Sequence, residues 1–179
     1  MPSLAGQFLI AAPSLRDPNF YRSVILIVQH DDEGALGLIV NRPMELTVAD
    51  AVDDDVEAAD GLESQLHLGG PCPGLLSVLH DDNAIGHDVI EGVRFTNDRA
   101  EIERLMRSDP ARSKYIAGYA GWGPAQLEDE VSEDAWLIAD AKADDVFREP
   151  PDLWQRLLTR LHLEQYIDPE RIPDEPGLN

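Results

Sequence analysis

The sequence predicts one domain that mixes β-strands with helices, and three observations carry that expectation. Short apolar runs rich in β-branched residues alternate with turn residues over the first third of the chain. Farther on, apolar residues recur at helical spacing. No linker or low-complexity block divides the 179 residues, a length that suits one domain with a sizeable core.

The first runs, residues 8–12, 24–28 and 36–40, read as strands. The second and third are joined by Asp31-Asp32-Glu33-Gly34, whose glycine can supply the positive φ of a hairpin loop. Their apolar residues are consecutive rather than alternate, which predicts strands covered on both faces, with helices supplying one cover. Residues 47–59 are rich in Ala and Asp and read as a short helix or helical turn ending near Gly61. The strand pattern returns at 66–68, 75–79 and 85–90, broken by Gly69-Gly70-Pro71 and by Asp81-Asp82-Asn83.

From Asn97 the pattern becomes helical. Ile102, Leu105 and Met106 share a face, Asn97 or Asp98 can cap the start, and Ser108-Asp109-Pro110 stops it. Residues 115–119 read as a strand, and Gly121-Trp122-Gly123 as a turn into a helix that begins at Pro124 and continues through 126–131. A short strand follows at 134–139. Leu153, Trp154, Leu157, Leu158 and Leu161 then draw one apolar stripe on a last helix. The domain is expected to span 1–167, leaving 168–179, with Pro169, Pro173 and Pro176, as a flexible or extended tail.

The charge balance excludes partners before any motif is considered. With 35 acidic and 14 basic residues the net charge is −21, which repels nucleic-acid backbones and anionic lipid surfaces alike. The single cysteine, Cys72, cannot form an intramolecular disulfide, which fits a reducing cytoplasm. The 8–12 run is short and lacks a basic region before it, and 24–28 falls far below the roughly 20 residues of a membrane span. A cytosolic protein is expected.

No phosphate-binding, dinucleotide, nucleophile-elbow or zinc-protease motif occurs. The glycine-bounded segment 118–123 leads into a helix, but Glu128, Asp129 and Glu130 already place negative charge at that end, against a phosphate. It reads as a structural turn or the flank of a pocket. Asn41-Arg42 closes a strand. In so acidic a chain the simplest partner for that guanidinium is an internal carboxylate, and a ligand carboxylate is the alternative. Gln126 and Glu130 lie one helical turn apart and can complete a polar pocket with Arg42, or stand solvated.

Cys72 follows His67 by five residues, which raises a Cys/His nucleophile against the plainer reading of a small half-buried thiol. His30, His67, His80, His87 and His162 lack zinc-site spacing. Val28-Gln29-His30-Asp31-Asp32 is echoed by Val78-Leu79-His80-Asp81-Asp82. The echo reads as two turns of the same chemistry, with a cation held between them as the alternative. Trp136 and Trp154 read as core, while Trp122, between glycines, can line a groove.

Several of these pieces occur together in one known pattern. Residues 4–11, Asp17-Pro18-Asn19-Phe20, Ser23-Val24, residues 34–43, Gly69-Gly70-Pro71, Gly118-Tyr119-Ala120-Gly121-Trp122 and Gln126-Leu127-Glu128-Asp129-Glu130 resemble the AlgH/YqgE family of bacterial proteins. The resemblance runs in order from Leu4 to about Leu161. It implies an α+β fold in which a bifurcated, mostly antiparallel sheet forms a pseudo-barrel with flanking helices. It also implies a family of unsettled biochemical function, sometimes labelled a transcriptional regulator without a recognised DNA-binding motif.

Carried over by that resemblance, Asn41, Arg42, Gly69, Gly70, Pro71, Gly118, Gly121, Trp122, Gln126, Glu128 and Glu130 form a candidate ligand or partner surface. Cys72 stands where the family usually has an apolar residue. Three functional readings follow. The first is a binding or regulatory module for a small molecule or protein, monomeric or weakly self-associating, with no cofactor and no metal. The second is a hydrolase using Glu128 or Glu130 as general base with Arg42 stabilising charge. The third is a transcriptional regulator, which the net charge argues against.

Overall fold

The structure is a computed structural model that describes residues 2–52, 63–108, 110, 112–148 and 152–161. Along the chain run β1 (Gln7–Ala11), β2 (Val24–Asp31), β3 (Gly34–Ile39), β4 (Pro43–Thr47), a 3-10 turn (Val48–Asp50), β5 (Gln65–Leu68), β6 (Ser77–His80), β7 (His87–Ile90) and β8 (Val93–Thr96). Then come α1 (Arg99–Ser108), β9 (Ser113–Ala117), β10 (Ala120–Trp122), α2 (Gln126–Ser132), β11 (Trp136–Asp140), α3 (Ala143–Phe147) and α4 (Leu153–Arg160).

The first sheet has the order β10-β3-β2-β1-β11 and is antiparallel throughout. The second has the order β4-β5-β9-β6-β8-β7 and is antiparallel except for β5 beside β9. The consecutive apolar runs divide by strand alternation. Phe8, Ile10, Val24, Leu26, Val28 and Leu38 join Leu79, Phe95 and Ile116 in the core between the sheets, which Trp154, Leu157 and Leu158 of α4 also enter. Leu9, Ala11, Ile25, Ile27 and Ile39 pack on the other face with Trp122, Leu127 and Trp136. α1 covers the outside of the second sheet, its Ile102, Leu105 and Met106 meeting Leu66, Val78 and Tyr115. Each such side chain taken fully from water contributes about 1.5–3 kcal/mol.

The two sheets are not separate layers. β3 passes through Val40-Asn41-Arg42 into β4, and β9 passes through Gly118-Tyr119 into β10, so two chain paths leave one sheet and enter the other. Gly69 sits at the fork, accepting from the Ile39 amide at 2.9 Å and donating to the Ala117 carbonyl at 2.8 Å. The buried Lys114 ammonium on β9 donates across the fork to the Val40 carbonyl at 2.8 Å. Cys72 and Tyr119 exchange both backbone hydrogen bonds at 3.0 Å. This is the bifurcated α+β pseudo-barrel that the resemblance implies.

Local structure departs from expectation in several places. Gly121-Trp122-Gly123 is not a turn: residues 120–122 are an edge strand paired with β3, Trp122 opposite Ala35. The helix after it starts at Gln126, with Ala125 at φ +62° rather than Pro124 as the first helical residue. The 85–90 run is a strand only over His87–Ile90, and Gly92, at φ +75°, turns it into β8, a strand not anticipated. β4 and α3 were not anticipated either. The 75–79 and 115–119 strands are shifted to Ser77–His80 and Ser113–Ala117. The latter ends at Gly118, which takes φ +74°. Trp136, not Asp134, opens β11, because Asp134 is left-handed at φ +57°.

Within the short helix or helical turn expected over 47–59, the described residues hold a 3-10 turn at Val48–Asp50, started where Asp50 accepts from the Thr47 amide at 2.8 Å. Residues 53–59 and the 168–179 tail lie outside the described residues. Asp98 is the cap of α1, accepting from the Glu101 amide at 3.0 Å.

Candidate binding site

Three aromatic side chains and one carboxylate converge where α2 meets the first sheet. The i, i+4 spacing on α2 brings Gln126 to Glu130, Nε2 donating to Oε1 at 3.0 Å. The two indoles, one on β10 and one on β11, donate to the other oxygen, Trp122 Nε1 at 2.9 Å and Trp136 Nε1 at 2.8 Å. Phe20 lies over both, stacked on Trp122 at 6.4 Å and edge-on to Trp136 at 5.4 Å between centroids. Trp122 is mostly buried in this cluster and also lines the cleft beside the β2–β3 hairpin. Both Glu130 oxygens already accept donors, Oε2 from the two indoles and Oε1 from Gln126, which holds the carboxylate in place against the cluster.

Glu128, two residues before Glu130 on the helix, accepts from His30 Nε2 at 3.2 Å. The Leu4 amide donates to His30 Nδ1 at 2.9 Å, which leaves the ring proton on Nε2. That imidazole has no free nitrogen with which to act as a base. Gln126 also accepts from the Gly123 amide at 3.1 Å, which occupies an N–H ahead of α2.

Among the described residues Arg42 does not make the expected internal ion pair. Its guanidinium donates to the carbonyls of Asn19 and Tyr21, the second at 3.1 Å, with Asp17 close enough to attract it. Burial pushes its pKa down. Asn41 works on the same segment, accepting from the Val24 amide at 2.8 Å and donating to the Arg22 carbonyl at 2.9 Å. Both residues therefore pin residues 19–24, on the strand side of the aromatic cluster.

Gly69 and Gly70 are buried at the fork, while Pro71 is exposed beside them. A Cβ on Gly69 would lie 2.3 Å from the Gly118 carbonyl oxygen, and one on Gly118 2.9 Å from that of Cys72. Gly121 is exposed on β10. The fold thus brings Trp122, Gln126, Glu128 and Glu130 together, whereas Gly69, Gly70 and Gly118 let backbones approach.

Phe20, His30 and Trp136 are participants that sequence reasoning did not place here. Phe20 lay in plain view in Asp17-Pro18-Asn19-Phe20, but nothing local tells which distant rings it meets.

The Cys72 thiol is half-buried and has no histidine partner among the described residues. His67 is buried with neither ring nitrogen hydrogen-bonded. Burial, reinforced by the Lys114 ammonium, pushes its pKa down to about 4. Because the unfolded chain then binds a proton that the folded chain refuses, His67 favours folding fully above its ordinary pKa of 6.5. That contribution fades as the pH falls from there toward 4. Wild type is expected to lose about 2–3 kcal/mol more stability between pH 7 and pH 4.5 than His67→Leu, read from urea midpoints. Equal losses would exclude His67 as the cause. Burial pushes His80 down in the same direction.

The two Asp-rich turns use one device. Asp31 accepts from the Glu33 amide at 2.9 Å, and Asp82 from the Ala84 amide at 2.8 Å, each two residues on. Asp81 is held by Arg112 at 3.2 Å. No group of three or more metal-ligating side chains occurs among the described residues.

The surface around the cluster is acidic and uncompensated. Asp31, Asp32 and Glu33 at the hairpin tip and Glu128, Asp129, Glu130, Glu133 and Asp134 on or just after α2 have no Arg or Lys partner among the described residues. The arginine pairs sit on the second sheet and on α1, α3 and α4. The Gln29 amide, with the Glu33 N–H, holds the Asp31 carboxyl below the ordinary carboxylate range. A cleft of about 190 Å³ runs between the hairpin and Trp122, lined by Gln29, Asp31, Glu33 and Leu36. On the second sheet, Leu75, Leu76, Ile102 and Met106 line an apolar groove of about 170 Å³.

Fold and site together define a class: small α+β proteins whose sheet forks into a pseudo-barrel, with an aromatic-carboxylate cluster at one end. The chain belongs to the AlgH-like family, whose model matches residues 8–166. It is 37% identical to a UPF0301 protein of Myxococcus xanthus across the full length of both chains. A UPF0301 protein of Stenotrophomonas maltophilia is 40% identical, covering 98% of this chain and 96% of that one. The solution structure of AlgH from Pseudomonas aeruginosa has a TM-score of 0.71 at 28% identity, over 99% of this chain and 97% of that one. A crystal structure from Corynebacterium diphtheriae shares the fold, with a TM-score of 0.73 at 23% identity. No helix among the described residues is long and apolar enough to cross a membrane.

Proposed function

We propose that this protein is a cytosolic binding module, and that the end formed by the β2–β3 hairpin and α2 receives a cationic segment of a protein partner. The observation that carries this reading is the set of eight carboxylates there without an Arg or Lys partner among the described residues. Their mutual repulsion is relieved when a partner brings positive charge, and their field accelerates its approach. The same chemistry speaks against the general-base reading, because Glu130 is occupied by three neutral donors and Glu128 by His30. It speaks equally against a nucleic-acid partner.

A short labelled peptide alternating arginine and alanine tests this at physiological ionic strength. The triple variant Asp31→Asn, Asp32→Asn, Glu33→Gln is expected to weaken binding about tenfold. Glu45→Gln, Glu63→Gln, Glu91→Gln removes as much charge from exposed positions elsewhere and is expected to change it less than about twofold. Equal losses in the two triples would mean attraction by net charge alone and overturn the site.

A further inference from the structure

We infer that residues 13–21 form a displaceable cover over the Trp122–Trp136–Glu130 cluster, latched shut by Arg42. The inference rests on the reading of this end as the binding site, and concerns how that site is opened. The segment is closed on itself. Its backbone hydrogen bonds run from Leu15 to Ala12, from Phe20 and Tyr21 to Asp17, and from Ser23 to Phe20, and the Asp17 side chain accepts from the Asn19 amide. None of these reaches a strand of either sheet.

What ties the segment down is a small set of side chains. Arg42 holds the Asn19 and Tyr21 carbonyls, Phe20 rests on the two indoles, and Leu15 packs at the margin of the same cluster. The two ends are fixed. The Ala12 amide donates to the Ala135 carbonyl at 3.0 Å, and Asn41 holds the Arg22 carbonyl. Arg22 lies at φ +53° with its guanidinium over the Trp154 ring at 5.4 Å. Residues 14 and 16–19 are exposed, so lifting the segment between these ends uncovers mainly Phe20, Leu15 and Tyr21, whose buried hydroxyl has no partner among the described residues. A unit with internal hydrogen bonds, few buried contacts and fixed ends opens at far lower cost than the sheets it covers.

Opening replaces Phe20 with vacant space beside two indoles and a carboxylate that has no cationic partner among the described residues. A lysine or arginine of a partner fits there, its charge over the indole and opposite Glu130. Phe20 therefore occupies the place of the ligand, and Arg42 sets how often it leaves.

Amide hydrogen exchange on the full chain tests the cover without any ligand. In Arg42→Gln, which loses two hydrogen bonds from a charged donor, exchange of 13–21 is expected to rise about tenfold or more while the β1 and β2 amides stay unchanged. Phe20→Ala removes the anchor and leaves the latch, and is expected to raise exchange in the same amides. Unchanged exchange in both variants, or a rise that spreads into β1 and β2, would overturn the cover. The arginine–alanine peptide is then added: tighter binding to Arg42→Gln than to wild type supports a cover that competes with the partner. A cover that opens in Arg42→Gln with no gain in peptide binding still stands as a cover, and it is the cationic partner that falls.

Discussion

Glu130→Ala is expected to destabilise the protein by about 3 kcal/mol, a large share of the 5–15 kcal/mol that holds a typical domain folded. The cause is not the lost carboxylate itself but what it leaves behind. The Trp122 and Trp136 N–H groups, both on side chains buried against the first sheet, lose the acceptor they share. Hydrogen bonds to a charged acceptor contribute roughly 1.5–3 kcal/mol each, and partial exposure of Glu130 puts the pair near the lower end. Glu130→Gln keeps an oxygen for the indoles and is expected to cost about 1 kcal/mol. Urea unfolding of the two variants beside wild type decides it. Equal costs would show that charge rather than indole bonding is what matters.

Gly70→Ala is expected to be worse still, costing about 3 kcal/mol or more and lowering the yield of folded protein. Gly70 sits at φ +154°, a conformation that side chains rarely adopt, and a Cβ there would lie 2.3 Å from the carbonyl carbon and oxygen of Tyr119. Those atoms belong to the path by which β9 becomes β10, so they cannot retreat without moving one sheet against the other. Thermal unfolding would check the size of the effect, and a loss below about 1 kcal/mol would mean that the fork is softer than its hydrogen bonds suggest. Gly121→Ala is the control: its Cβ comes no nearer than 3.1 Å to the end of the Tyr119 ring, and it is expected to be mild.

Much of this architecture was legible because apolar pattern reports burial directly. The runs at 24–28 and 36–40 announced strands buried on both faces, and their residues do split between two cores by alternation. The α1 face and its Asp98 cap were equally plain. β4 and β8 were not. Pro43–Thr47 and Val93–Thr96 are short and carry charged residues, and they are strands because of the neighbours they pair with, not because of local preference. Gly121-Trp122-Gly123 misled in the opposite sense, since glycines that suggest a turn here flank an edge strand.

At the site, the Gln126–Glu130 pair follows from helical spacing alone. That Trp136 would share the same carboxylate, or that Arg42 would grip carbonyls some twenty residues upstream, depends on how the sheet folds back. Sequence separation hides such contacts.

The fork has a consequence for how the protein is made. β9 lies inside the second sheet, between β5 and β6, and β1 can reach its outer partner only when β11 exists. Neither sheet can be completed until residue 117, and then residue 140, has emerged from the ribosome. Until that point the apolar strands 7–11 and 34–39 each wait with one open edge, the state in which nascent chains aggregate. Assembly of such distant segments is slow, and the newly made chain is the form most in need of a chaperone.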